Sequence, residues 1–235
     1  MPIAEAQDNA VRRRGNPNLA RGTFDACVEP WLDGCCRNVH SQYGEDGLLE
    51  ATFERIGVTS SQCFEVGASD GRTFSNVANL IRQDWGGVLV EQDEQLHAEC
   101  AARYADRDDV QCIREHVFPW TFEGILEKAG LPHTVDLGVI DIDEQDFWLW
   151  AGMRRYHPRV MVIEFGLGRP VDQIPPLVGY IKDSEPVIQA GENMIHYLGV
   201  AKGYTTVAIT RTNFLFVRND CLAQQEQEQC REQRK

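Results

Sequence analysis

The stretch Phe64-Glu65-Val66-Gly67-Ala68-Ser69-Asp70-Gly71, followed by Gly87-Val88-Leu89-Val90-Glu91, decides the fold. Gln62 to Val66 is a short apolar run that ends in a glycine-bearing turn, which reads as a strand feeding a loop. Ser75 then stands where a helix N-cap belongs, and Val77, Ala78, Leu80 and Ile81 give the helix behind it an apolar face. Gly87 to Val90 is continuously apolar, as expected of a strand covered on both faces, and it stops at Glu91. Strand, glycine turn, helix, strand is the unit from which parallel sheets are built.

The rest of the chain repeats this alternation. Leu48, Leu49, Phe53 and Ile56 recur at helical spacing, so Ser41 to Ile56 is expected to form a helix ahead of the first strand. Val110 to Ile113, Val135 to Ile142 and Val160 to Phe165 read as the third, fourth and fifth strands. The fourth stops at acids, with Asp143 in N-cap position ahead of a helix bearing Phe147, Trp150 and Ala151, which Pro158 is expected to end. Thr205 to Thr210 and Asn213 to Val217, separated by Arg211-Thr212, read as an antiparallel hairpin closing an otherwise parallel sheet. The fold class is therefore α/β, Rossmann-like, with helices on both faces.

Length and composition bound the rest. The chain has 235 residues, 43% apolar and 25% charged, so one domain with an ordinary core is expected, flanked by polar tails. Residues 1–25 read as a mobile arm and 223–235 as a polar tail, leaving 26–222 as the domain. The net charge of −13 opposes nucleic acid and anionic membranes as partners. No stretch has the roughly 18 to 20 apolar residues of a membrane span, and the N-terminal residues lack the apolar core of a secretory signal. A soluble, cytoplasmic protein is expected. The eight cysteines follow no small-scaffold spacing and are expected to be thiols. Cys27, Cys35, Cys36 and His40 cluster in sequence but lack the Cys-x-x-Cys knuckle of a zinc site.

In an open α/β sheet, ligands bind outside the carboxyl ends of the strands. Here those ends carry the Gly67 to Gly71 turn and, after the second strand, Glu91, placed to accept hydrogen bonds from the ribose hydroxyls of an adenosine. A dinucleotide site uses a fuller Gly-x-Gly-x-x-Gly turn, and Asp70 within this one would repel a pyrophosphate but attract an amino group or a sulfonium. S-adenosylmethionine is thus the expected cofactor.

At this point the sequence resembles a family. Ser41-Gln42-Tyr43-Gly44-Glu45-Asp46-Gly47, the Phe64 to Gly71 block with Ser75-Asn76, and Trp85-Gly86-Gly87-Val88-Leu89-Val90-Glu91 look like successive blocks of FkbM-like class I methyltransferases. Ile140-Asp141-Ile142-Asp143 with Asp146-Phe147-Trp148-Leu149-Trp150, then Val162-Ile163-Glu164, Lys202-Gly203-Tyr204 and Asn213 to Val217 continue the likeness over about residues 41–220. The resemblance implies a seven-stranded fold that binds S-adenosylmethionine and methylates an oxygen of a small-molecule or sugar acceptor. It implies that Glu91, with Gln92 beside it, holds the ribose. Asp70 or Glu65 would hold the amino-acid end, directly or through water, Gly67, Ala68, Ser69 and Gly71 would offer backbone, and Asn76 would also contact the cofactor. Glu115 or His116 would border the adenine, and Gln42 and Glu45 would close the methionine end. Glu144 and Gln189-Ala190-Gly191-Glu192 depart from the family pattern on the acceptor side.

Three acids converge at the lip of the fourth and fifth strands. Asp141 and Asp143, two apart and so expected on the same side of a strand end, and Glu164 are the candidate catalytic residues. They could also ligate magnesium, which would lower the pKa of an acceptor hydroxyl. The bland alternatives are a cap for Asp143, a holder of loop amides for Glu65 and a core or surface histidine for His196. Two other functions stay open: a methyltransferase-like interaction module, and a nicotinamide-dependent oxidoreductase.

Overall fold

The computed structural model describes residues 29–177 and 189–224. The expected arm and tail lie outside these residues, apart from the first positions of the tail. The strands are β1 (Gln62–Val66), β2 (Gly86–Glu91), β3 (Val110–Arg114), β4 (Leu137–Ile140), β5 (Val160–Glu164), β6 (Tyr204–Ile209) and β7 (Asn213–Arg218). The α-helices that lie wholly within the described residues are α1 (Glu45–Ile56), α2 (Ala78–Ile81), α3 (Glu94–Arg103), α4 (Phe122–Lys128), α5 (Asp146–Gly152) and α6 (Glu192–Ala201).

The strands form one sheet in the order β3-β2-β1-β4-β5-β7-β6. β1 to β5 pair in parallel, whereas β7 runs antiparallel to both β5 and β6. This is the Rossmann-like, mostly parallel seven-stranded α/β sheet expected from the sequence, closing hairpin included. The order reverses at β1/β4, so the crevice at the carboxyl ends opens between their loops.

Alternation along each strand feeds two cores. Cys63, Leu89, Val139 and Val162 pack on one face with Leu48, Leu49 and Phe53 of α1 and Leu80 and Ile81 of α2. Phe64, Val66, Val88, Val90 and Ile163 pack on the other with Phe122 of α4, Trp150 of α5 and Ile195 of α6. At the amino end of β4, fully buried Asp136 accepts hydrogen bonds from the amides of Thr59, Ser60 and Ser61 and pairs with Arg159 at 2.9 Å. One carboxylate thereby ties the loop before β1 to the start of β5.

Local corrections have local causes. α1 starts at Glu45, not Ser41, because Gly44 turns with φ 99° and the Asp46 carboxylate gathers the amides of Val39, His40 and Ser41. Asp143 caps nothing and has φ 68°; instead Asp146, inside the first turn of α5, accepts the Ile142 amide at 2.8 Å. α5 ends at Gly152, well before Pro158. β4 keeps only Leu137–Ile140 of the longer expected run.

None of the six described cysteines is in a disulfide. Cys27 of the sequence cluster lies outside the described residues. Among the described residues no group of three or more His, Cys, Asp or Glu side chains is placed to hold a metal ion, and no helix is long and apolar enough to cross a membrane.

Candidate functional site

A cleft of about 1390 Å³ opens at the carboxyl ends of β1 to β5. Its floor is the turn after β1. Gly67 adopts φ 82° and its N–H bonds the Val90 carbonyl at 3.0 Å; a Cβ there would fall 1.8 Å from the Asp141 carbonyl oxygen. Only glycine allows β1 to leave the sheet so close to the end of β4.

Glu91 closes the next side. Its Oε2 accepts the Ser69 N–H and its Oε1 the Asp93 N–H, both at 2.8 Å. Asp93 in turn caps α3, its side chain accepting from Gln95 and Leu96 at 2.9 Å. A buried acid at the end of β2 thus orients the loops on both sides while remaining on the cleft wall. Beyond it, Gln92 Oε1 lies 2.5 Å from His116 Nδ1. The His116 ring leans on Phe118, which stacks on Trp120 at 5.1 Å, giving the rim after β3 a row of flat faces.

The lip of β4 and β5 is acidic. The carboxyl groups of Asp141 and Glu164 share a hydrogen bond, and Gln189 Nε2 donates to Glu164 Oε2 at 2.6 Å. Burial, then the charge of Asp141, pushes Glu164 well above the usual carboxylate range. Burial and the neighbouring Asp143 raise Asp141 as well. At neutral pH the pair therefore holds one proton between its two carboxyl groups.

The cleft gathers Gln42, Glu65, Gly67, Ser69, Glu91, Gln92, Glu115, His116, Asp141, Asp143 and Glu164, all candidates from the sequence. Glu45, Ala68, Asp70, Gly71 and Asn76 do not line it. Asp70 departs from the expectation that its carboxylate faces a ligand. Burial works against ionisation, but the amides of Thr73 and Arg72, the Thr73 hydroxyl and the Arg103 guanidinium at 3.1 Å engage the carboxylate and hold its pKa below the usual value. Glu45 accepts from the Tyr43 amide and the Thr210 hydroxyl, joining α1 to the β6/β7 turn.

Glu65 reaches the wall but spends its oxygens on the loop. Ser75 Oγ donates to it at 2.6 Å and the Asn76 amide at 2.7 Å, while burial pushes it up to about 8. The geometry is that of a holder of loop amides. His196 is a core histidine, with Nδ1 3.1 Å from Thr206 Oγ1 and burial lowering its pKa to about 4. Asp141 lies just past the end of β4 and Asp143 turns with positive φ, so strand alternation does not relate them, though both line the cleft. Among the described residues Asp141, Asp143 and Glu164 do not make the magnesium site that the sequence left possible, because Asp141 and Glu164 bond each other. Sequence reasoning missed Arg114, Phe118 and Gln145 on the wall; the aromatic run His116 to Trp120 was the available signal.

No family model matches the chain, and no curated protein does. Among solved structures it is similar to the citrinin polyketide synthase CMeT domain, at 12% identity and TM-score 0.48, covering 77% of this chain and 55% of that one. The chain thus spans about half the length of that relative. It is similar to magnesium protoporphyrin IX methyltransferase from Synechocystis PCC 6803 with bound SAH, at 11% identity and TM-score 0.47, covering 74% and 81% of the two chains. A third likeness is a SAM-dependent methyltransferase from Aquifex aeolicus, at 10% identity and TM-score 0.41, covering 80% and 92%.

Proposed function

We propose that the chain is an S-adenosylmethionine-dependent methyltransferase acting on an oxygen of a small-molecule acceptor. The observation that carries this reading is the charge of the cleft around its glycine turn. Glu91, Asp93, Glu115, Asp143, Glu144 and the singly charged Asp141–Glu164 pair line it, against one lining cation among the described residues, Arg114, which pairs with Glu94 at 3.0 Å. Such a wall disfavours a pyrophosphate, and hence a nicotinamide dinucleotide, and favours a sulfonium bearing an amino group. The donor set fits the cofactor's parts. Glu91 has lone pairs left for a ribose diol, the close approach at Gly67 admits backbone contact, and the rim after β3 offers a border for adenine.

When bound, the cofactor supplies a methyl group on a cationic sulfur. The chain's residues align the acceptor with it, because displacement at carbon gains most from near-attack placement. An acid pressed against the sulfur would stabilise the charged reactant more than the transition state. Glu91 acts at the ribose, remote from the transferred carbon. Asp141, hydrogen-bonded to Glu164 in a pair that carries one negative charge, takes the proton of the acceptor hydroxyl. Glu164 shares the pair's proton with Asp141 and limits the charge built up at the lip.

Incubation with methyl-labelled S-adenosylmethionine and a panel of polyols and hydroxy acids tests this. Label in an ether or ester product, with an equal amount of S-adenosylhomocysteine, is expected. Thermal stabilisation by NAD but not by S-adenosylmethionine would contradict it.

A further inference from the structure

Behind the glycine turn, Cys100 Sγ of α3 lies 3.1 Å from Cys112 Sγ of β3. That is closer than two sulfurs pack without bonding, and about 1 Å of movement separates it from a disulfide of roughly 2.05 Å. The two partners differ in access. Cys100 is 1% exposed, whereas Cys112 is only partly buried and sits on β3, the edge strand of the sheet.

We propose that Cys100 and Cys112 are a modification site, oxidised by a hydroperoxide to a disulfide that joins α3 to β3 and shifts the support of the cleft's glycine turn. The Cys112 thiolate attacks one peroxide oxygen; the O–O bond breaks, leaving a sulfenic acid, and the departing oxygen takes up the thiol proton as water or alcohol. Cys100 sulfur then attacks the sulfenic sulfur, the S–O bond breaks, and the Cys100 proton leaves with that oxygen as water. Two thiols are oxidised and one peroxide is reduced. A thiol reductant reverses the bond by exchange.

The order of attack follows first from access, Cys112 being the more exposed of the two, and is reinforced by the pair's own hydrogen bond. It holds Cys112 below the ordinary thiol range against the effect of burial, and together with burial it pushes Cys100 up. The lower, more accessible thiol is the one that meets the oxidant.

The coupling to the cleft runs through a single turn of α3. A Cβ on Gly71 would lie 2.8 Å from Cys100 Sγ, Tyr104 Oη donates to the Gly71 carbonyl at 2.6 Å, and Arg103 bonds both the carbonyl and the carboxylate of Asp70. Cys100, Arg103 and Tyr104 seat the end of the turn whose other end, Ser69, is bound to Glu91. Drawing the Cys100 sulfur toward β3 moves that seat. This half of the proposal rests on the reading of the cleft as an adenosyl site.

The experiment treats the full chain with hydrogen peroxide, blocks remaining thiols with N-ethylmaleimide under denaturing conditions, and maps peptides by mass. A linked peptide pair containing Cys100 and Cys112, lost on adding dithiothreitol and not formed by Cys112→Ser, is expected. S-adenosylhomocysteine is then expected to bind the oxidised chain at least about tenfold more weakly than the reduced one, as the seat of the turn shifts. Recovery of both cysteines as separate maleimide adducts overturns the site. A disulfide with unchanged affinity overturns the coupling. Failure of the reduced chain to bind the nucleoside overturns the cofactor reading instead, while the peptide map still decides the cysteine pair.

Discussion

The Ser69 amide donates to Glu91 Oε2 at 2.8 Å, which fastens the turn after β1 to the end of β2. The turn and the acid occupy neighbouring strands, and each is oriented by the other. The same carboxylate takes the Asp93 amide through Oε1, so the entry to α3 is set by it too. A buried acid held by two amides keeps acceptor capacity on both oxygens while lining the cleft.

Gly67→Ala is expected to lower stability and cofactor affinity together. The added methyl would enter the Asp141 carbonyl at 1.8 Å, and a φ of 82° is strained for any residue with a Cβ. Backbone strain alone is about 1 to 3 kcal/mol. A urea midpoint unchanged from the parent would show that β1 leaves the sheet by another route.

Stability is expected to fall as pH rises above the ordinary carboxylate range. Glu65, raised to about 8, and Glu164, also raised, each bind a proton in the folded chain that the unfolded chain has released. Their contribution is therefore complete below about pH 4.5 and is lost as pH climbs through their folded values. Asp70 and Asp136 act in the opposite sense, since their lowered pKa values stabilise the fold above the ordinary aspartate range and fail in acid. Urea midpoints across pH should fall at both ends, and Glu164→Gln should flatten the alkaline limb. An alkaline limb unaltered in that variant would place the proton elsewhere.

Asp136→Ala is expected to cost about 3 kcal/mol, because it leaves the half-buried Arg159 without its carboxylate partner and three loop amides without their acceptor. Asp136 lies at the amino end of β4, across the sheet from the cleft. Under conditions where the variant remains folded, its nucleoside affinity should match the parent's. Denaturation curves and calorimetry on the same sample check both halves.

The sheet was legible because its strands are continuous apolar runs, a signal that does not depend on distant partners. β1 matched residue for residue and the others to within a few residues, with β4 shortened at both ends. The helices were less so. α3 buries only Cys100, so no apolar stripe marks it, and α4 likewise went unplaced. Residues at strand ends could be placed on the cleft by position, and Glu91, Asp141 and Glu164 all line it. Asp70 could not be judged, since the cation that engages it, Arg103, comes from the far end of α3. The Cys100 to Cys112 approach is equally a product of packing a helix on an edge strand.

Titration of S-adenosylhomocysteine into parent and Glu91→Ala chains by calorimetry tests the central claim most directly. Losing one or two charge-assisted hydrogen bonds, each roughly 1.5 to 3 kcal/mol, should weaken binding about tenfold to a few hundredfold or more. Glu91→Gln, which keeps one acceptor oxygen, should fall between the two. Equal affinity in parent and folded Glu91→Ala, or no binding by the parent, would contradict an adenosyl cofactor held at the end of β2.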